Sequence, residues 1–283
     1  MKIYFFGDIH GNEYALEACL QHAAQIKPDE IYCLGDLVGW LPFGDRTLAR
    51  MRLLGFPTVA GNHDMMVAGL FKDHPQQLDR MQATAYNAGL LSAIPGAVEF
   101  LRSLPLFLER ENFFITHNNP FLLPAQGEVP AIECFEYLTE AVLEASLSEW
   151  SNFPKQVIFS GHDHVPAIYE LPAGASSPPE LGEIKVHRPP AGQGLTLRLH
   201  LSSRYWVKAG SLAMNRDSVP MANSVLYDTV EETITLFRLP FPAVRLGREL
   251  QSHFFAPNLT AVRNYIGLLD EYGGDDRVRN GAK

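Results

Sequence analysis

Cysteine is scarce in this sequence, and long apolar runs are missing. The 283 residues include three cysteines, none in a Cys-x-x-Cys spacing, so a thiolate-held zinc site is not expected and the cysteines are interpreted as small buried side chains. No stretch approaches the roughly 20 apolar residues of a membrane-spanning helix, and the apolar run at the start of the chain is too short for the core of a signal peptide. We therefore expect a cytoplasmic protein without membrane contact.

Positive charge and several familiar enzyme motifs are also scarce. The chain carries 23 Lys and Arg against 32 Asp and Glu, a net charge of −9, and no basic cluster is dense enough to follow a nucleic-acid backbone, so strong nucleic-acid binding is not expected. A small phosphorylated substrate is compatible with this charge, because bound metal cations can reverse the local field. The sequence has no Walker loop, no strand-linked Gly-x-Gly-x-x-Gly and no Gly-x-Ser-x-Gly.

The order of the predicted elements is that of an α/β protein. In the first 60 residues, strands at 2–6, 31–34 and 58–60 alternate with helical patterns at 12–25 and 46–54, which predicts a parallel sheet with helices packed on it. Further helices are expected at 76–93, 97–103 and 131–150, and further strands at 106–109, 113–116 and 157–160. The later strands lack intervening helices and predict a second, mostly antiparallel sheet, with strands at 167–171, 195–201, 205–208, 224–227 and 233–237.

We interpret residues 1–283 as a single domain with two additions. Residues 171–194 are rich in Pro, Gly and Ser and are interpreted as an insertion, which is a passive surface loop, a lid or a subunit contact. A helical extension is expected at about 245–283. A homo-oligomer is compatible with the sequence.

Five polar motifs each follow a predicted strand. They are Gly7-Asp8-Ile9-His10-Gly11-Asn12, Gly35-Asp36, Gly61-Asn62-His63-Asp64, Thr116-His117 and Gly161-His162-Asp163-His164. Because ligand sites of open α/β sheets form beyond the carboxyl ends of the strands, five such loops can converge on one place. Carboxylate, imidazole and amide ligands without thiolates favour Mn²⁺, Fe or Zn²⁺ over Ca²⁺.

Each motif taken singly also has a structural explanation. An Asp-x-His pair is more often a solvated loop or a helix N-cap than a pair of ligands, and Gly-Asp is a common turn. Coincidence does not account for all five motifs in this order at strand ends, which indicates a dinuclear metal site. The remaining five of the ten histidines are left as structural or surface residues: His22, His74, His187, His200 and His253.

In this order the motifs resemble those of the calcineurin-like metallophosphoesterase superfamily. The chain is also similar to the bacterial and archaeal predicted phosphodiesterase branch, in the loop Gly35–Trp40, in the Leu-Arg-Ser-Leu-Pro segment at 101–105, and in the loop that holds Gly210-Ser211 and Arg216-Asp217. The resemblance implies an α/β fold of the metallo-dependent phosphatase type. This fold is a four-layer α-β-β-α sandwich of two mixed sheets flanked by helices.

The resemblance also implies a role for each motif residue. Seven side chains are implied as metal ligands: Asp8, His10 and His164 for the first metal, Asn62, His117 and His162 for the second, and Asp36 as the bridge between both. His63 binds no metal and faces the substrate, where it stabilises developing charge or protonates the leaving group. The implied cofactors are two divalent or iron-type ions, with Mn²⁺ preferred and Fe, Zn²⁺ or Ni²⁺ as alternatives.

Two departures from the family pattern leave questions open. The protein-phosphatase branch has an Asp three residues after the bridging Asp, where this chain has Gly39. The residue that orients His63 is therefore not identified, although Asp64 is adjacent to it. Asn118-Asn119-Pro120 stand where relatives often have Gly-Ser-Pro, which bears on substrate contacts.

Weaker signals surround the motifs. Arg216 is a candidate for binding a phosphate oxygen, together with Asn62 and His63, and a solvated loop charge is the alternative for Arg216. Trp40 and Phe43 are candidates for stacking on a nucleobase or aryl group, with core packing as the alternative.

The sequence therefore predicts a phosphoric ester hydrolase that acts on a small substrate by attack of a metal-bound hydroxide, with a phosphodiester favoured. A phosphomonoesterase and a dinucleoside polyphosphate hydrolase of the same superfamily are the alternatives among enzymes. A scaffold that keeps the fold without catalysis is the alternative of another class. Residues 35–39 lack the Asp-Arg-Gly continuation of the protein-phosphatase branch.

Overall fold

The computed structural model describes residues 1–125 and 127–280. The strands in these ranges are β1 (Lys2–Phe6), β2 (Glu30–Cys33), β3 (Phe107–Glu109), β4 (Phe113–Thr116), β5 (Val157–Ser160), β6 (Pro166–Leu171), β7 (Lys185–His187), β8 (Leu195–Arg198), β9 (Arg204–Ala209), β10 (Ala222–Asp228) and β11 (Thr233–Leu239). The helices are α1 (Glu13–Ile26), α2 (Gly44–Leu54), α3 (Asn62–Val67), α4 (Leu78–Ser92), α5 (Ala97–Arg102), α6 (Glu140–Asn152), α7 (Ala243–Ser252) and α8 (Thr260–Asn280). Within the described ranges, no helix combines the length and the apolar character that crossing a bilayer requires.

The strands form two mixed sheets. The first sheet has the order β2-β1-β10-β11-β8 and the second has the order β3-β4-β5-β9-β6-β7. In the first sheet β1 and β2 are parallel, and in the second β4, β5 and β9 are parallel. The other neighbours are antiparallel. The mixed α/β fold class expected from the sequence is confirmed.

The two sheets pack face to face, and helices cover their outer faces. Because successive strand side chains point to opposite faces, Phe5 of β1 faces the second sheet while Phe6 faces α1 and α2. Phe5 stacks on Phe159 of β5, with ring centroids 3.9 Å apart. On the far side of the second sheet, Trp150 of α6 packs against Trp206 of β9. The layers therefore run helices, sheet, sheet, helix.

Helix α1 shows how a local signal fixes one of the polar loops. The side chain of Asn12 caps the helix by accepting a hydrogen bond from Ala15 N at 3.1 Å. The same side chain donates to Leu212 O at 2.7 Å, in the loop between β9 and β10. The apolar side chains of Leu16 and Cys19 bury against the first sheet. The loop at residues 7–12 is thus held at both the helix and the sheet.

The helix expected at 131–150 is wrong in its first half. The chain instead forms a 3₁₀ turn at Ile132–Phe135, followed by an extended stretch, and α6 begins only at Glu140. Thr139 caps α6 by accepting a hydrogen bond from Val142 N at 3.3 Å. The apolar spacing of the sequence suits a helix, but tertiary contacts hold the segment in another shape.

Two further expectations about strands are also wrong. The strand expected at 58–60 is a single bridge between Thr58 and Cys33. The later strands do not make a separate sheet, because β8, β10 and β11 join β1 and β2, whereas β6, β7 and β9 join the strands that precede them. Strand pairing is non-local here, so the order along the chain does not separate the sheets.

The two expected additions have regular structure. Segment 171–194 contains a 3₁₀ turn at Leu181–Glu183 and the edge strand β7, which pairs with β6. Helices α7 and α8 occupy the expected extension and pack around a shared apolar cluster that includes Leu250 and Val262. Residues 281–283 of that extension lie outside the described residues. The interpretation as a single domain stays a prediction.

Candidate metal centre

The predicted ligands come together where the parallel strands of both sheets end. Asp8 and His10 follow β1, and Asp36 follows β2, at one edge of the first sheet. His117 follows β4, and the pair His162 and His164 follows β5, at the matching edge of the second. Asn62 lies in the first turn of α3. All seven side chains belong to residues that are at most 4% exposed: Asp8, His10, Asp36, Asn62, His117, His162 and His164.

Five of these seven residues have a backbone conformation that non-glycine residues rarely adopt. Their φ angles are positive: 50° for Asp8, 48° for His10, 53° for Asp36, 70° for His162 and 59° for His164. Each such residue costs on the order of 1–3 kcal/mol and persists only where its surroundings hold it. Hydrogen bonds from Asp8 N to Gly35 O at 2.9 Å and from His10 N to Asp36 O at 2.9 Å provide this support.

Close approach between the two sheets depends on a glycine. A Cβ atom at Gly161 would lie 2.4 Å from Oδ2 of Asp8, a distance that no side chain tolerates. With glycine there, the carboxylate of Asp8 accepts hydrogen bonds from His162 N at 3.1 and 3.0 Å. The loops after β1 and β5 are therefore joined directly at the site.

The first predicted group of ligands has its donor atoms crowded together. One ligand atom each from Asp8, His10, Asp36 and His164 lies within 4.8 Å of the others. His10 donates from Nδ1 to Val38 O at 3.0 Å, and His164 donates from Nδ1 to Met214 O at 2.9 Å. The two Nε2 atoms are then unprotonated acceptors, and they face each other at 3.1 Å.

Two facing lone pairs repel each other unless a cation lies between them or a proton is added. Burial lowers the pKa of His10 to about 4, despite the opposing charge of Asp36, so this ring stays neutral at pH 7. A metal cation between the two rings would satisfy both nitrogens at once.

The second predicted group shows the same arrangement of acceptors. His117 donates from Nδ1 to Leu34 O at 2.7 Å, which leaves its Nε2 pointing at Asn62 Oδ1, 3.2 Å away. His162 donates from Nε2 to Phe135 O at 2.9 Å, and its Nδ1 lies 3.1 Å from the same Asn62 oxygen. Three acceptor atoms therefore converge on one point.

Asp36 lies between the two groups. Its Oδ2 is 3.4 Å from His10 Nε2 and 3.3 Å from His117 Nε2, yet within the described residues this buried oxygen has no regular hydrogen bond. Burial raises the pKa of Asp36, but the neighbouring imidazoles, His117 first, outweigh burial and lower the pKa well below its ordinary value. Burial likewise lowers the pKa of His117, and the charge of Asp36 reverses this and raises it to about 9.

This charged carboxylate with an unsatisfied oxygen fits a bridging position between two cations. Where no cation is bound, a proton on His117 compensates part of the same charge. The donor set of carboxylates, imidazoles and one amide, with no thiolate, suits Mn²⁺, Fe or Zn²⁺.

Asp64 is a structural residue of the site and not the orienting partner of His63. Its Oδ2 accepts hydrogen bonds from Asp36 N at 2.8 Å and Gly61 N at 3.0 Å, and its Oδ1 accepts from Leu37 N at 2.8 Å and Val38 N at 3.3 Å. Burial and the charge of Asp36 raise the pKa of Asp64 to about 7. This side chain fastens the loop of Asp36 to the start of α3.

His63 is held by packing rather than by a carboxylate. Its ring lies 4.6 Å from the ring of His10 and 5.4 Å from that of Trp40, measured between centroids. Its Nδ1 is buried and has no hydrogen-bond partner in the described part of the chain. At Gly39 a Cβ atom would lie 2.4 Å from this Nδ1, so the position where another branch carries an orienting Asp has no room for a side chain here.

The three residues with weaker sequence signals, Trp40, Phe43 and Arg216, have different surroundings in the structure. Phe43 is a core residue beside α7 and α8, which supports the packing alternative for this residue, and Trp40 is half-buried against His63. Arg216 does not touch the predicted ligands with its side chain. Its guanidinium lies 4.2 Å above the ring of Tyr137 and donates to the Tyr137 hydroxyl at 2.7 Å.

Several neighbours of the site were not foreseen from the sequence. The ring of Tyr137 stacks on His162 at 4.9 Å. A cavity of about 320 Å³ beside Asn62 is lined by Arg80, His74 and Tyr137. Tyr137 had no signal of its own, because its surroundings have the spacing of a helix, and Arg80 belongs to no motif.

The geometry brings the predicted ligands together in one buried cluster that could hold metal ions, and comparison with known proteins identifies the family. The model of the calcineurin-like phosphoesterase family matches residues 1–166, more than half of the chain. The chain belongs to this family.

Similar proteins extend the likeness over almost the whole length. An uncharacterized protein of Methanocaldococcus jannaschii is 26% identical over 243 residues, which cover 84% of this chain and 87% of that protein. The crystal structure of a metallophosphoesterase from Sphaerobacter thermophilus has a TM-score of 0.70 and 24% identity and covers 95% of this chain and 99% of its own. A hypothetical protein from Pyrococcus horikoshii has a TM-score of 0.61 and 15% identity, with 95% and 97% covered. These two structures show the shared fold.

The contact between Gly39 and His63 generates a prediction. In Gly39→Ala the new methyl group displaces the His63 ring, and the φ of +128° adds backbone strain, so we expect unfolding free energy to fall by about 1–3 kcal/mol. Turnover of a chromogenic phosphodiester should fall about 10²-fold, the typical effect of moving a catalytic group by an ångström. Bound metal, measured by plasma mass spectrometry, should not change.

Gly55→Ala is the matched control. Gly55 also has a positive φ, +65°, but nothing lies within 4 Å of its Cβ position. In this variant the unfolding free energy should fall because of backbone strain, and the turnover of the phosphodiester should stay at the wild-type level. Equal activity losses in both variants would contradict the assigned contact.

Proposed function

We propose that this protein is a dinuclear metal phosphoesterase that hydrolyses a phosphodiester of a small molecule. The observation that carries the proposal is the buried Asp36 carboxylate, with an unsatisfied oxygen, between two sets of inward-facing acceptor atoms. Such an arrangement is stable with two cations and costly without them. Membership of the calcineurin-like phosphoesterase family supports the reaction class.

The proposed division of ligands follows the two groups of donor atoms. Asp8, His10 and His164 would hold one cation, Asn62, His117 and His162 the other, and Asp36 both. When bound, the cations supply Lewis-acid polarisation of the phosphate ester and an activated water. The four ligand histidines are oriented for this task by backbone carbonyls, each of which accepts the proton of the other ring nitrogen: Val38, Leu34, Phe135 and Met214. Mn²⁺ is the proposed metal, with Fe, Zn²⁺ or Ni²⁺ as alternatives, and a cytoplasmic location stays a prediction from the sequence.

His63 and Asn62 are proposed to contact the substrate. Both lie in the first turn of α3, and Asn62 also lines the 320 Å³ cavity that opens beside the site. The buried Nδ1 of His63 has no hydrogen-bond partner in the described part of the chain, since Gly39 occupies the position where another branch carries an orienting Asp. We therefore assign His63 to donating a hydrogen bond to a phosphoryl oxygen, where negative charge develops during the reaction.

A diester is favoured over a monoester by the charges beside the site. Arg80, the arginine that lines the cavity next to Asn62, is paired through its guanidinium with Asp73. A dianionic monoester gains little from a cation that is already paired. A scaffold without catalysis is disfavoured, because such relatives lose ligands and this chain keeps the whole predicted set.

The first prediction here concerns the bridge. Asp36→Asn removes the charge that both cations share, so both metal sites should weaken by more than the roughly 10–100-fold that follows loss of an outer partner, and turnover should be abolished. Metal content and hydrolysis of bis(p-nitrophenyl) phosphate measure the two effects. Asp45→Asn, the same change in α2 away from the centre, should alter neither. Full activity in Asp36→Asn, or a wild-type protein that binds no metal, would refute the dinuclear assignment.

A second prediction concerns the substrate class. With Mn²⁺ supplied, we expect kcat/KM to be higher for bis(p-nitrophenyl) phosphate than for p-nitrophenyl phosphate, because Arg80 in the cavity beside Asn62 is already paired with Asp73 and is not free for the second charge of a monoester. The opposite ranking, by about tenfold or more, would move the assignment to a phosphomonoesterase. A screen with dinucleoside polyphosphates tests the alternative that the protein is a dinucleoside polyphosphate hydrolase.

A third prediction concerns His63. His63→Gln should keep both metals, because His63 is not proposed as a ligand, and should lose about 10²–10³-fold in kcat, the scale of one donor that stabilises transition-state charge. If His63 donates to a phosphoryl oxygen, the loss of kcat should be the same for a nitrophenyl ester and for an alkyl or nucleoside ester. A much larger loss on the alkyl ester would show instead that His63 protonates the leaving group. Loss of one metal would make His63 a ligand.

A further inference from the structure

A second cavity, lined by cations, lies beside the metal centre. It measures about 290 Å³, close to the lower end of small-molecule pockets. Its polar lining is Tyr137, Asp163, Tyr169, Arg188, Lys208 and Arg216. We call this space the basic cavity. Its three cations face one carboxylate, which leaves two net positive charges in a protein whose overall charge is −9.

The register of the second sheet places two of these cations on one face. Lys208 of β9 is directly opposite Ala167 of β6. Ile168 of β6 is opposite His187 of β7, so Arg188 follows one position further along, level with Ala167. Two strand spacings, roughly 10 Å, therefore separate the Cα atoms of the two residues. Both residues line the basic cavity, together with Tyr169 of β6.

One of the three cations, Lys208, is paired with an acidic side chain, and the other two are not paired in the described residues. Lys208 is 1% exposed, and its Nζ lies 2.5 Å from Asp163 Oδ2. Asp163 uses its other oxygen to accept a hydrogen bond from Leu138 N at 2.9 Å. Within residues 1–125 and 127–280, neither Arg188 nor Arg216 forms an ion pair.

The nearby carboxylates are engaged elsewhere. Asp217 pairs with Arg238, and Glu170 pairs with His187. Among the described residues, Asp163 is the one acidic side chain that lines the basic cavity.

Tyr137 connects the basic cavity to the metal centre. One face of its ring stacks on the proposed ligand His162, at 4.9 Å, and the guanidinium of Arg216 lies over the ring at 4.2 Å. The backbone N of Arg216 also approaches His164 O at 3.4 Å, and Asp163 stands in sequence between the two proposed ligands. A substrate bound at the metals is thus one side chain away from the cations.

We propose that the basic cavity binds a second phosphate or similar oxyanion group of the substrate, while the scissile phosphodiester lies at the metal centre. This inference rests on the proposed function and specifies its substrate class: a small phosphodiester with another anionic group nearby. It also gives segment 171–194 a role, because β7 of that segment positions Arg188 at the cavity. Arg216 then contacts the second group and not the scissile phosphate.

The test compares two substrates that differ in one group. The p-nitrophenyl ester of thymidine 5′-phosphate and the same ester with an added 3′-phosphate release the same leaving group from the same type of diester. We expect the 3′-phosphate to raise kcat/KM by about tenfold, the scale of one charge-assisted hydrogen bond. In Arg188→Gln and in Arg216→Gln the ratio of the two kcat/KM values should fall towards one. Arg198→Gln, an exposed arginine of β8 in the first sheet, should keep the wild-type ratio.

Calorimetric titration of the full chain with inorganic phosphate, without added metal, tests the cavity independently of turnover. Wild type and Arg198→Gln should bind phosphate equally, and Arg188→Gln and Arg216→Gln should bind it about tenfold more weakly. Equal hydrolysis of the two esters by the wild type would overturn the proposal and leave the phosphodiesterase function standing, even if phosphate binds as an independent ion. If neither ester is hydrolysed by the metal-loaded protein, the proposed function fails. In that case the titration alone tests the cavity, and an unchanged affinity for phosphate in Arg188→Gln and Arg216→Gln would show that it is not an anion site.

Discussion

The carboxylate of Asp36 is the group on which the arrangement of the site depends. It is 1% exposed and lies where the edges of the two sheets meet, with one imidazole nitrogen from each sheet within 3.4 Å. Leaving such a charge in the interior without partners is costly. Its Oδ1 accepts a hydrogen bond from His63 N at 2.9 Å, and its Oδ2 faces both groups of proposed ligands. The surrounding structure therefore has to deliver compensating charge to one point between the sheets, and a metal ion bound there would couple its binding to folding.

The side chains around Asp36 are held by backbone atoms from distant segments. Each of the four histidines proposed as ligands donates one ring N–H to a main-chain carbonyl, which turns the other ring nitrogen into the cluster: the acceptors are Leu34, Val38, Phe135 and Met214. This outer layer sets both the tautomer and the direction of each ring. The strained backbone at five of the ligands is tolerated because the two sheets and these hydrogen bonds over-determine the loops.

The segment at 132–139 packs on His162 and lines both neighbouring cavities. Asn118, which departs from the family pattern, donates to Cys134 O at 3.1 Å and Glu136 O at 2.9 Å. Asp163 accepts a hydrogen bond from Leu138 N at 2.9 Å. Tyr137, between these anchors, lines both the 320 Å³ cavity and the basic cavity. The residues that line the two cavities thus stand mostly outside the proposed ligand set, on elements that members of one fold family are free to vary.

The ligand motifs and most of the fold could be predicted because their signals are local. A glycine followed by Asp or His directly after a buried strand, as at residues 7–10 and 161–164, reports a sharp turn at a sheet edge within a few residues. The hairpin of β3 and β4 and the cap of α1 at Asn12 are local in the same way. Asp64 was ambiguous, because sequence adjacency to His63 does not reveal that its carboxylate turns towards four backbone N–H groups.

What the sequence by itself determined is the set of ligand types and the strand ends that carry them, since both follow from residue identity and spacing. Only the tertiary structure decided how the strands divide between the sheets, that residues 132–139 leave the helical path, and that Arg188, Lys208 and Arg216 share a cavity. These three cations lie in separate parts of the chain without a common motif. The pairing of β7 and β9 on either side of β6 brings Arg188 and Lys208 together. Pairing between distant strands depends on which faces can be buried jointly, and this is a property of the whole chain and not of any short segment of it.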